Sequence, residues 1–191
     1  AERELIQMLG DSARRGADIV QQLLLYGRGS DSPRSPISVA AAIKDMLKRM
    51  RETFPKGLEI SAEVPKDLWM IDGDRTQLHQ VLLNLCVNAR DAMPARGALS
   101  VQAENVNVDP AFAARQANAR PGPHVTIRVK DTGAGIPAAH LEKIFDPFFT
   151  TKPTGKGTGL GLATVLGIVR SHGGFVTVET QEGVGSEFAV F

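Results

Sequence analysis

The sequence contains a single cysteine, no long apolar run and almost no excess of either charge. Cys86 alone cannot form an internal disulfide or a cysteine-based metal cluster, which fits a reducing compartment. No apolar run approaches the roughly 20 residues that cross a bilayer, and the first ten residues lack the features of a signal peptide. We therefore expect a cytoplasmic chain. Its abrupt start and end suggest a fragment of a longer protein, and a membrane anchor elsewhere in that protein is an alternative.

The balance of charges argues against a nucleic-acid partner. The 191 residues include 22 Lys and Arg against 21 Asp and Glu, so no overall field attracts nucleic acid or an anionic membrane. This length suits one compact domain with an appendage.

The first residues predict a helix that is separate from the rest. Apolar or small residues recur there close to a heptad spacing, at Leu5, Leu9, Ser12, Gly16, Ile19, Leu23 and Tyr26. Such a helix requires a partner, and packing against its own domain is the alternative. The following "GRGSDSPRSPIS" has the Gly, Ser and Pro content of a linker. We predict a helix within 1–29, a linker over 30–36 and a domain over 37–191.

The remaining residues alternate between helical and strand-like patterns. Amphipathic helices are predicted over 39–50 and 75–93, and a third begins near Leu160 and ends before Gly173. Period-two alternation predicts strands in "LEISAEV", "ALSVQAENVNV", "HVTIRVKD" and a closing hairpin, "FVTVETQEGVGSEFAVF". The stretch "DPAFAARQANARPGP" reads as a loop or a short helix. Together these elements predict an α/β two-layer sandwich.

The second helix of this domain carries a polar stripe. Gln80, Asn84 and Asn88 recur at i, i+4 and i+8, with Asp91 seven residues beyond Asn84. Buried amides without partners cost a few kcal/mol, so the stripe faces either solvent or a ligand. An amide oxygen is a hard ligand suited to Mg²⁺ on a nucleotide.

A strand end followed by glycines forms the second motif, "DTGAGIP". Asp131 can accept a hydrogen bond from an exocyclic amine, and Gly133 and Gly135 let a planar ring approach the backbone. The same residues with Ala138 satisfy G-x-G-x-x-A, but Pro137 and the lack of a βαβ crossover argue against a dinucleotide fold. A simple turn or cap role for the carboxylate is the other alternative.

The third motif, "GKGTGLGLAT", is not a P-loop, because its Gly-Lys is followed by Gly rather than Ser or Thr. Gly157, Gly159 and Gly161 lead into a helix N-terminus, where free N–H groups favour phosphates. A merely flexible loop is the alternative.

The fourth motif, "IFDPFFTTKPTGKG", combines aromatic anchors with a lid-like composition. We expect its phenylalanines to fix the segment, and Lys152 and Lys156 to bring charge to phosphates. Solvated surface lysines are the alternative.

Read in order, "NLCVNARDAM", "DTGAGIP", "IFDPFFTTK" and "GTGLGLA" resemble the N, G1, F and G2 boxes of the catalytic, ATP-binding domain of sensor histidine kinases. The resemblance covers residues 37–191, and the leading helix resembles the second helix of the family's dimerisation hairpin. It implies a Bergerat-type fold, with a mixed, mostly antiparallel sheet covered on one face by about three helices. ATP and Mg²⁺ are the implied cofactors.

The resemblance assigns a role to each matching position. Asn88 would ligate Mg²⁺ with Asn84 beside it, and Asp131 would bind the adenine amine near Gly133 and Gly135. Lys152 would belong to the lid and act with Asn84 in catalysis. The residues that would hold the nucleotide at the phosphates, and near the adenine in the last case, are Gly157, Thr158, Gly159, Leu160, Gly161 and Ser186. Gln80 and His79 are interpreted as helix-surface residues.

Two departures from the family pattern concern charge and phosphoacceptor. Asp91 stands where many members carry a basic residue, and the adjacent Arg90 is the candidate substitute. None of the four histidines lies within 1–29, so this chain alone is not expected to phosphorylate itself. The implied partners are a histidine-bearing dimerisation helix, a response-regulator receiver domain and a second copy of the parent.

Two other functions remain as alternatives. Gyrase-like and chaperone-like ATPases of the same fold carry a glutamate four residues before the metal asparagine, where this chain has Asn84. A degenerate module would use nucleotide only as a structural ligand or would serve as a docking platform.

Overall fold

The computed structural model describes residues 34–153 and 157–191. The predicted N-terminal helix over 1–29 and Lys156 lie outside the described residues.

The described residues form a helical layer on one face of a five-stranded sheet. The strands of this sheet, in spatial order, are β2 (Leu58–Glu63), β4 (Gly97–Val108), β5 (Gly122–Asp131), β7 (Gly185–Val190) and β6 (Val176–Gln181). The helices are α1 (Val39–Thr53), α2 (Arg75–Ala92), the one-turn α3 (Pro110–Ala113) and α4 (Gly161–Ser171). All pairings in the sheet are antiparallel except β2 with β4. The predicted α/β sandwich is therefore confirmed.

Side-chain alternation places the core between sheet and helices. In β5, Val125, Ile127 and Val129 are buried in the main core, and Asp131 follows in the same phase at the strand end. Successive residues of a strand point to opposite faces, so the Asp131 side chain belongs to the helix-facing side. A polar group is thereby brought to the rim of the core.

Caps fix where the two long helices begin. The Oγ of Ser38 accepts the Ala41 N–H at 3.2 Å before α1, and Asp74 Oδ1 accepts the N–H groups of Thr76 and Gln77 before α2. Such caps satisfy N–H groups that have no partner within the helix. Asp74 is thus the N-cap of α2.

A small second sheet was not predicted. β1 (Ser35–Ser38) pairs antiparallel with β3 (Met70–Gly73), and β1 begins inside the stretch interpreted as linker. Both strands have four residues and carry Pro or Gly, which favour a turn or linker interpretation when only the sequence is read.

The parallel pairing of β2 with β4 was also not predicted from the sequence patterns. Parallel strands require a long crossover, and residues 64–96, which include α2, supply it here. Across the part of the chain that the structure describes, no helix is long and apolar enough to cross a membrane.

Candidate nucleotide-binding site

The polar stripe of α2 connects this helix to the start of α4. Asn84 Nδ2 donates to the Gly161 carbonyl at 3.1 Å, and Gln80 Nε2 donates to Asn84 Oδ1 at 3.2 Å. Gln80, interpreted as a helix-surface residue, is half-buried, and its hydrogen bond supports the Asn84 side chain. Both functional groups of the Asn84 amide are engaged within the protein.

One turn further along α2, Asn88 faces a lysine. Lys152 Nζ lies 3.5 Å from Asn88 Oδ1 and 2.6 Å from Asp91 Oδ2. Arg90 donates through Nε and Nη2 to Asp91 Oδ1 at 2.9 and 2.7 Å. Burial acts to raise the pKa of Asp91, but the hydrogen bonds and charges of Lys152 and Arg90 outweigh it and hold this pKa below its usual value.

Asp131 lies at the other end of the site, where β5 ends. Its residue is 5% exposed, and Oδ1 accepts the Gly133 N–H at 2.8 Å. Burial raises the pKa of this carboxyl group, although hydrogen bonds from the backbone of Gly133 and Ser186 oppose the shift. A buried carboxylate that accepts N–H bonds has the chemistry required to accept a further N–H from a base.

The two glycines of the second motif are required by close backbone approach. A Cβ on Gly133 would lie 2.7 Å from the Ala92 carbonyl oxygen, and one on Gly135 would lie 2.2 Å from the Gln181 carbonyl oxygen. Gly135 also has φ +68°, which side chains rarely adopt. The segment is therefore held between the end of α2 and the β6–β7 turn.

A hydroxyl pair borders the Asp131 end. Ser186 pairs with Asp131 across β5 and β7, and its Oγ lies 2.9 Å from Thr180 Oγ1. Thr180 Oγ1 also accepts the Ile136 N–H and donates to the Gly185 carbonyl. Thr180 was missed by the sequence analysis, because a threonine in an alternating strand carries no distinguishing signal.

The glycine motif turns tightly into α4. Gly159 has φ +68°, and its Cβ would lie 2.3 Å from the Phe148 backbone, whose N–H donates to the Gly159 carbonyl. The Thr158 hydroxyl accepts the Leu160 N–H at 3.3 Å, and the Leu160 carbonyl accepts both N–H and Oγ1–H of Thr164. Leu160 is buried, so its contribution at a ligand would come from the backbone.

The predicted site residues therefore gather along the C-terminal half of α2. Asn84, Asn88, Lys152 and Gly161 meet along its middle, while Ala92 at its end contacts Gly133. One helical turn separates Asn88 from Ala92, about 6 Å along the axis. The middle of α2 thus lies beside donors that suit phosphates, and its C-terminal end lies beside a buried acceptor that suits a base.

Two side chains in the last turns of α2 fit a hard divalent cation. The Asn88 amide oxygen and the Asp91 carboxylate both face a cationic group, the Lys152 ammonium. Within the described ranges no three His, Cys, Asp or Glu residues cluster as a metal site. A metal at Asn88 would therefore take most of its ligands from phosphates and water, as Mg²⁺ does.

A separate concavity lies elsewhere. A cavity of about 650 Å³ opens between α2, α4 and the small sheet, lined in part by Trp69, Met70, His124 and His172. None of the predicted nucleotide-binding residues lines it.

Comparison with known proteins agrees with this geometry. Residues 73–191 match the family described as "Histidine kinase-, DNA gyrase B-, and HSP90-like ATPase". The chain is 38% identical to the sensor kinase CckA of Brucella abortus over 97% of its own length and 20% of that protein. It is 33% identical to the sensor histidine kinase ZraS of Escherichia coli, over 98% of its length and 37% of that protein.

Solved structures give the same result. The catalytic domain of the histidine kinase ThkA superposes with a TM-score of 0.67 at 29% identity, covering 83% of this chain and 94% of that one. Full-length ShkA superposes with a TM-score of 0.78 at 28% identity, covering 100% of this chain and 38% of that one.

The chain belongs to the histidine kinase-, DNA gyrase B- and HSP90-like ATPase family. Within it, the chain is an ATP-binding catalytic domain of the sensor histidine kinase type, as the resemblance implied. It spans only part of its curated relatives, 20% of CckA and 37% of ZraS.

Proposed function

We propose that the chain binds Mg·ATP along α2 and transfers the γ-phosphoryl group to a histidine on a partner helix. The observation that carries this proposal is the meeting of Asn84, Asn88 and Lys152 with the N-terminus of α4, one helical turn from the Asp131 end. The separation of donors from a buried acceptor matches a ligand with an anionic end and an amine-bearing ring. ShkA, a structural neighbour, was solved with AMPPNP, which is consistent with this assignment.

Each residue has a defined task in this proposal. Asp131 accepts the adenine amine, with Gly133 and Gly135 giving the ring access to bare backbone and Ser186 lining that end. The N–H groups at the start of α4, reached through Gly157, Thr158, Gly159 and Leu160, bind phosphate oxygens. Lys152 adds positive charge beside them. Asn88 would hold Mg²⁺, which supplies neutralisation of the phosphate charge when bound.

Phosphoryl transfer requires mainly positioning and charge neutralisation, and these are what the arrangement offers. The acceptor is expected on a dimerisation helix, because the four histidines of this chain are His79, His124, His140 and His172, all outside 1–29. A receiver domain of a response regulator would then take the phosphoryl group. A homodimer of the full-length protein would bring the acceptor helices together.

Hydrolysis by activated water receives no support from the site. Asn84 occupies the position of the glutamate in hydrolytic members, and its amide is bonded to Gln80 and Gly161. An amide also cannot act as a general base near neutral pH. Sustained ATP turnover that Asn84→Ala abolished would reverse this conclusion.

The test is calorimetric titration with a non-hydrolysable ATP analogue, with and without Mg²⁺, beside the corresponding GTP analogue. We expect Mg²⁺-assisted binding of the ATP analogue, and weak binding of the GTP analogue because an oxygen replaces its amine. Equal affinity for the two would contradict the role of Asp131. Transfer is then tested by adding ATP and a histidine-bearing hairpin of a relative such as CckA, and measuring acid-labile phosphate on the hairpin.

A further inference from the structure

The Lys152 ammonium lies between two oxygen atoms of α2. Its Nζ is 2.6 Å from Asp91 Oδ2 and 3.5 Å from Asn88 Oδ1. An amide oxygen and a carboxylate three residues apart on one helix face form a pair of hard oxygen ligands. A protein cation therefore stands beside the oxygen assigned to Mg²⁺.

The carboxylate that attracts this ammonium is itself held in place. Arg90 donates two hydrogen bonds to Asp91 Oδ1, and its guanidinium lies 5.1 Å from the centre of the Phe54 ring. With Oδ1 bound to Arg90, the other oxygen, Oδ2, is directed to Lys152. Asp91 and Lys152 have side chains that are 25% and 32% exposed, so their ion pair is only partly screened by solvent.

Contacts on its own segment also fix the lysine. The Lys152 N–H donates to Thr150 Oγ1 at 3.2 Å. A Cβ on Gly157 would approach the Lys152 Cδ and Cβ to 3.1 and 3.2 Å, so the glycine packs on the lysine stem. The ammonium is thus positioned from the α2 side and from its own backbone.

We propose that Asp91 is a positioning residue that keeps the Lys152 ammonium on the Asn88 oxygen until a divalent cation takes that place together with the nucleotide. The proposal rests on the proposed binding of Mg·ATP. It gives a role to the one residue of the N box that departs from the family pattern.

The charges of these three side chains explain why the site favours metal-bound over metal-free nucleotide. Arg90, Asp91 and Lys152 sum to one positive charge, whereas the first two without Lys152 sum to zero. A metal-free triphosphate, with about four negative charges, is attracted less strongly by a Lys152 ammonium that is paired with Asp91 than by an unpaired one. A bound divalent cation would neutralise half of the nucleotide charge, and Asn88 and Asp91 would hold it in place of the ammonium. Asp91 therefore makes nucleotide binding depend on the metal.

The first test uses a metal without nucleotide. Mn²⁺ is titrated into the wild-type chain, Lys152→Met and the double variant Asp91→Asn/Lys152→Met, and bound Mn²⁺ is measured by electron paramagnetic resonance. Lys152→Met should bind Mn²⁺ with a Kd on the order of 1 mM, as weak sites do. The wild type, in which the ammonium lies at the two oxygens, should bind at least fivefold more weakly. The double variant, which lacks the Asp91 carboxylate, should also bind at least fivefold more weakly, which is about the effect of one close charge at partial exposure. Equal binding by all three proteins would overturn the proposal.

The second test measures the ratio of the dissociation constants of the ATP analogue without and with Mg²⁺. Asp91→Asn should lower this ratio about tenfold, chiefly by tightening metal-free binding, because the full charge of the free nucleotide gains most from losing the carboxylate. The matched control is Asp45→Asn, which removes an exposed aspartate bound to Arg75 at 3.0 Å and should leave the ratio unchanged. An unchanged ratio in Asp91→Asn, or an equal drop with Asp45→Asn, would overturn the proposal.

The two tests separate this proposal from the proposed function. If the wild type fails to bind the ATP analogue with Mg²⁺, the proposed function fails, while the Mn²⁺ titration still reports on Asp91 and Lys152. If the analogue binds but the ratio and the Mn²⁺ result do not move, only the role of Asp91 is lost. Thermal unfolding of each variant verifies that it is folded before either titration.

Discussion

At the scale of single residues, two aspartates of the site have opposite electrostatic settings. Asp131 is buried and accepts hydrogen bonds from the backbone of Gly133 and Ser186, and its pKa is raised above the usual value. Asp91 is held by Lys152 and Arg90, and its pKa is lowered. The first accepts backbone N–H groups and can accept a further donor from a ligand, whereas the second already has cationic donors from the protein. A substitution at Asp131 should therefore weaken ligand binding without lowering the stability of the fold.

Asp131→Asn is expected to weaken ATP binding without weakening the fold. Loss of the charged acceptor should cost about 1.5 to 3 kcal/mol in binding, roughly ten- to a hundredfold in Kd. The measurement is titration with the ATP analogue. Asn107→Ala, an exposed change on β4, is the control and should leave Kd unchanged. A variant that binds like the wild type would remove Asp131 from the site.

The same substitution should change how stability depends on pH. Because burial raises the folded-state pKa of Asp131 above its unfolded value, the folded chain holds this proton more tightly. The stability that protonated Asp131 contributes to the folded state is fully present below the unfolded pKa and is lost as the pH rises through the folded pKa. The wild type should therefore lose stability relative to Asp131→Asn as the pH is raised from the ordinary aspartate range towards neutrality. Urea unfolding of both proteins at several pH values measures this; parallel curves would contradict it.

The sequence predicted most of these residues but not their protein partners. Asn84, Asn88 and Asp131 were found because polar groups interrupt apolar periodicity or end a strand. The bonds from Gln80 to Asn84 and from Lys152 to Asp91 join residues 4 and 61 positions apart. The second pair depends on how the end of the F box folds back on α2, which no local pattern encodes. Thr180 was missed because a threonine in an alternating strand carries no distinguishing signal.

At the scale of elements, the Asn84 contact is a polar connection between α2 and the start of α4. Asn84→Ala removes the bonds with Gln80 and Gly161, at about 1 kcal/mol each. Alanine recovers up to about 0.7 kcal/mol of helix propensity, so the expected net loss of unfolding free energy is about 1 kcal/mol. Denaturant unfolding measures it, with Asn107→Ala again as the control.

The same variant should also weaken nucleotide binding several-fold, because the start of α4 loses its attachment beside the phosphates. Titration with the Mg²⁺ complex of the ATP analogue measures this effect. Weaker unfolding stability with unchanged affinity would show that Asn84 only joins the two helices.

Predictability of the elements depended on their length. The long strands β4 and β5 and the helices α1 and α2 have enough periods to be identified from alternation alone. The four-residue strands β1 and β3 do not, and their pairing joins segments more than 30 residues apart. The parallel register of β2 with β4 follows from the crossover through α2, a property of topology rather than of either strand.

At the scale of the whole molecule, α2 connects the site to the rest of the fold. Its cap residue Asp74 donates its N–H to His172 Nε2 at 3.1 Å, at the end of α4, and its last residue Ala92 accepts the Ala134 N–H. Between these ends its apolar face, including Leu82 and Leu85, lies fully within the core. Opening the site by moving α2 would therefore disrupt the core, so the helix is expected to stay fixed while ligands bind.

Cys86 provides a direct measurement of that expectation. Its residue is fully buried in α2, and burial raises the pKa of its thiol to about 12. Because the thiolate is the reactive form, a thiol reagent should label the folded chain only through unfolding. The ATP analogue with Mg²⁺ at 100 times its Kd should slow labelling about 100-fold, because it stabilises the folded state alone. The GTP analogue is the matched control and should have little effect. Rapid labelling that nucleotide does not slow would mean that α2 opens locally, and the site would then lack the fixed helix on which its geometry depends.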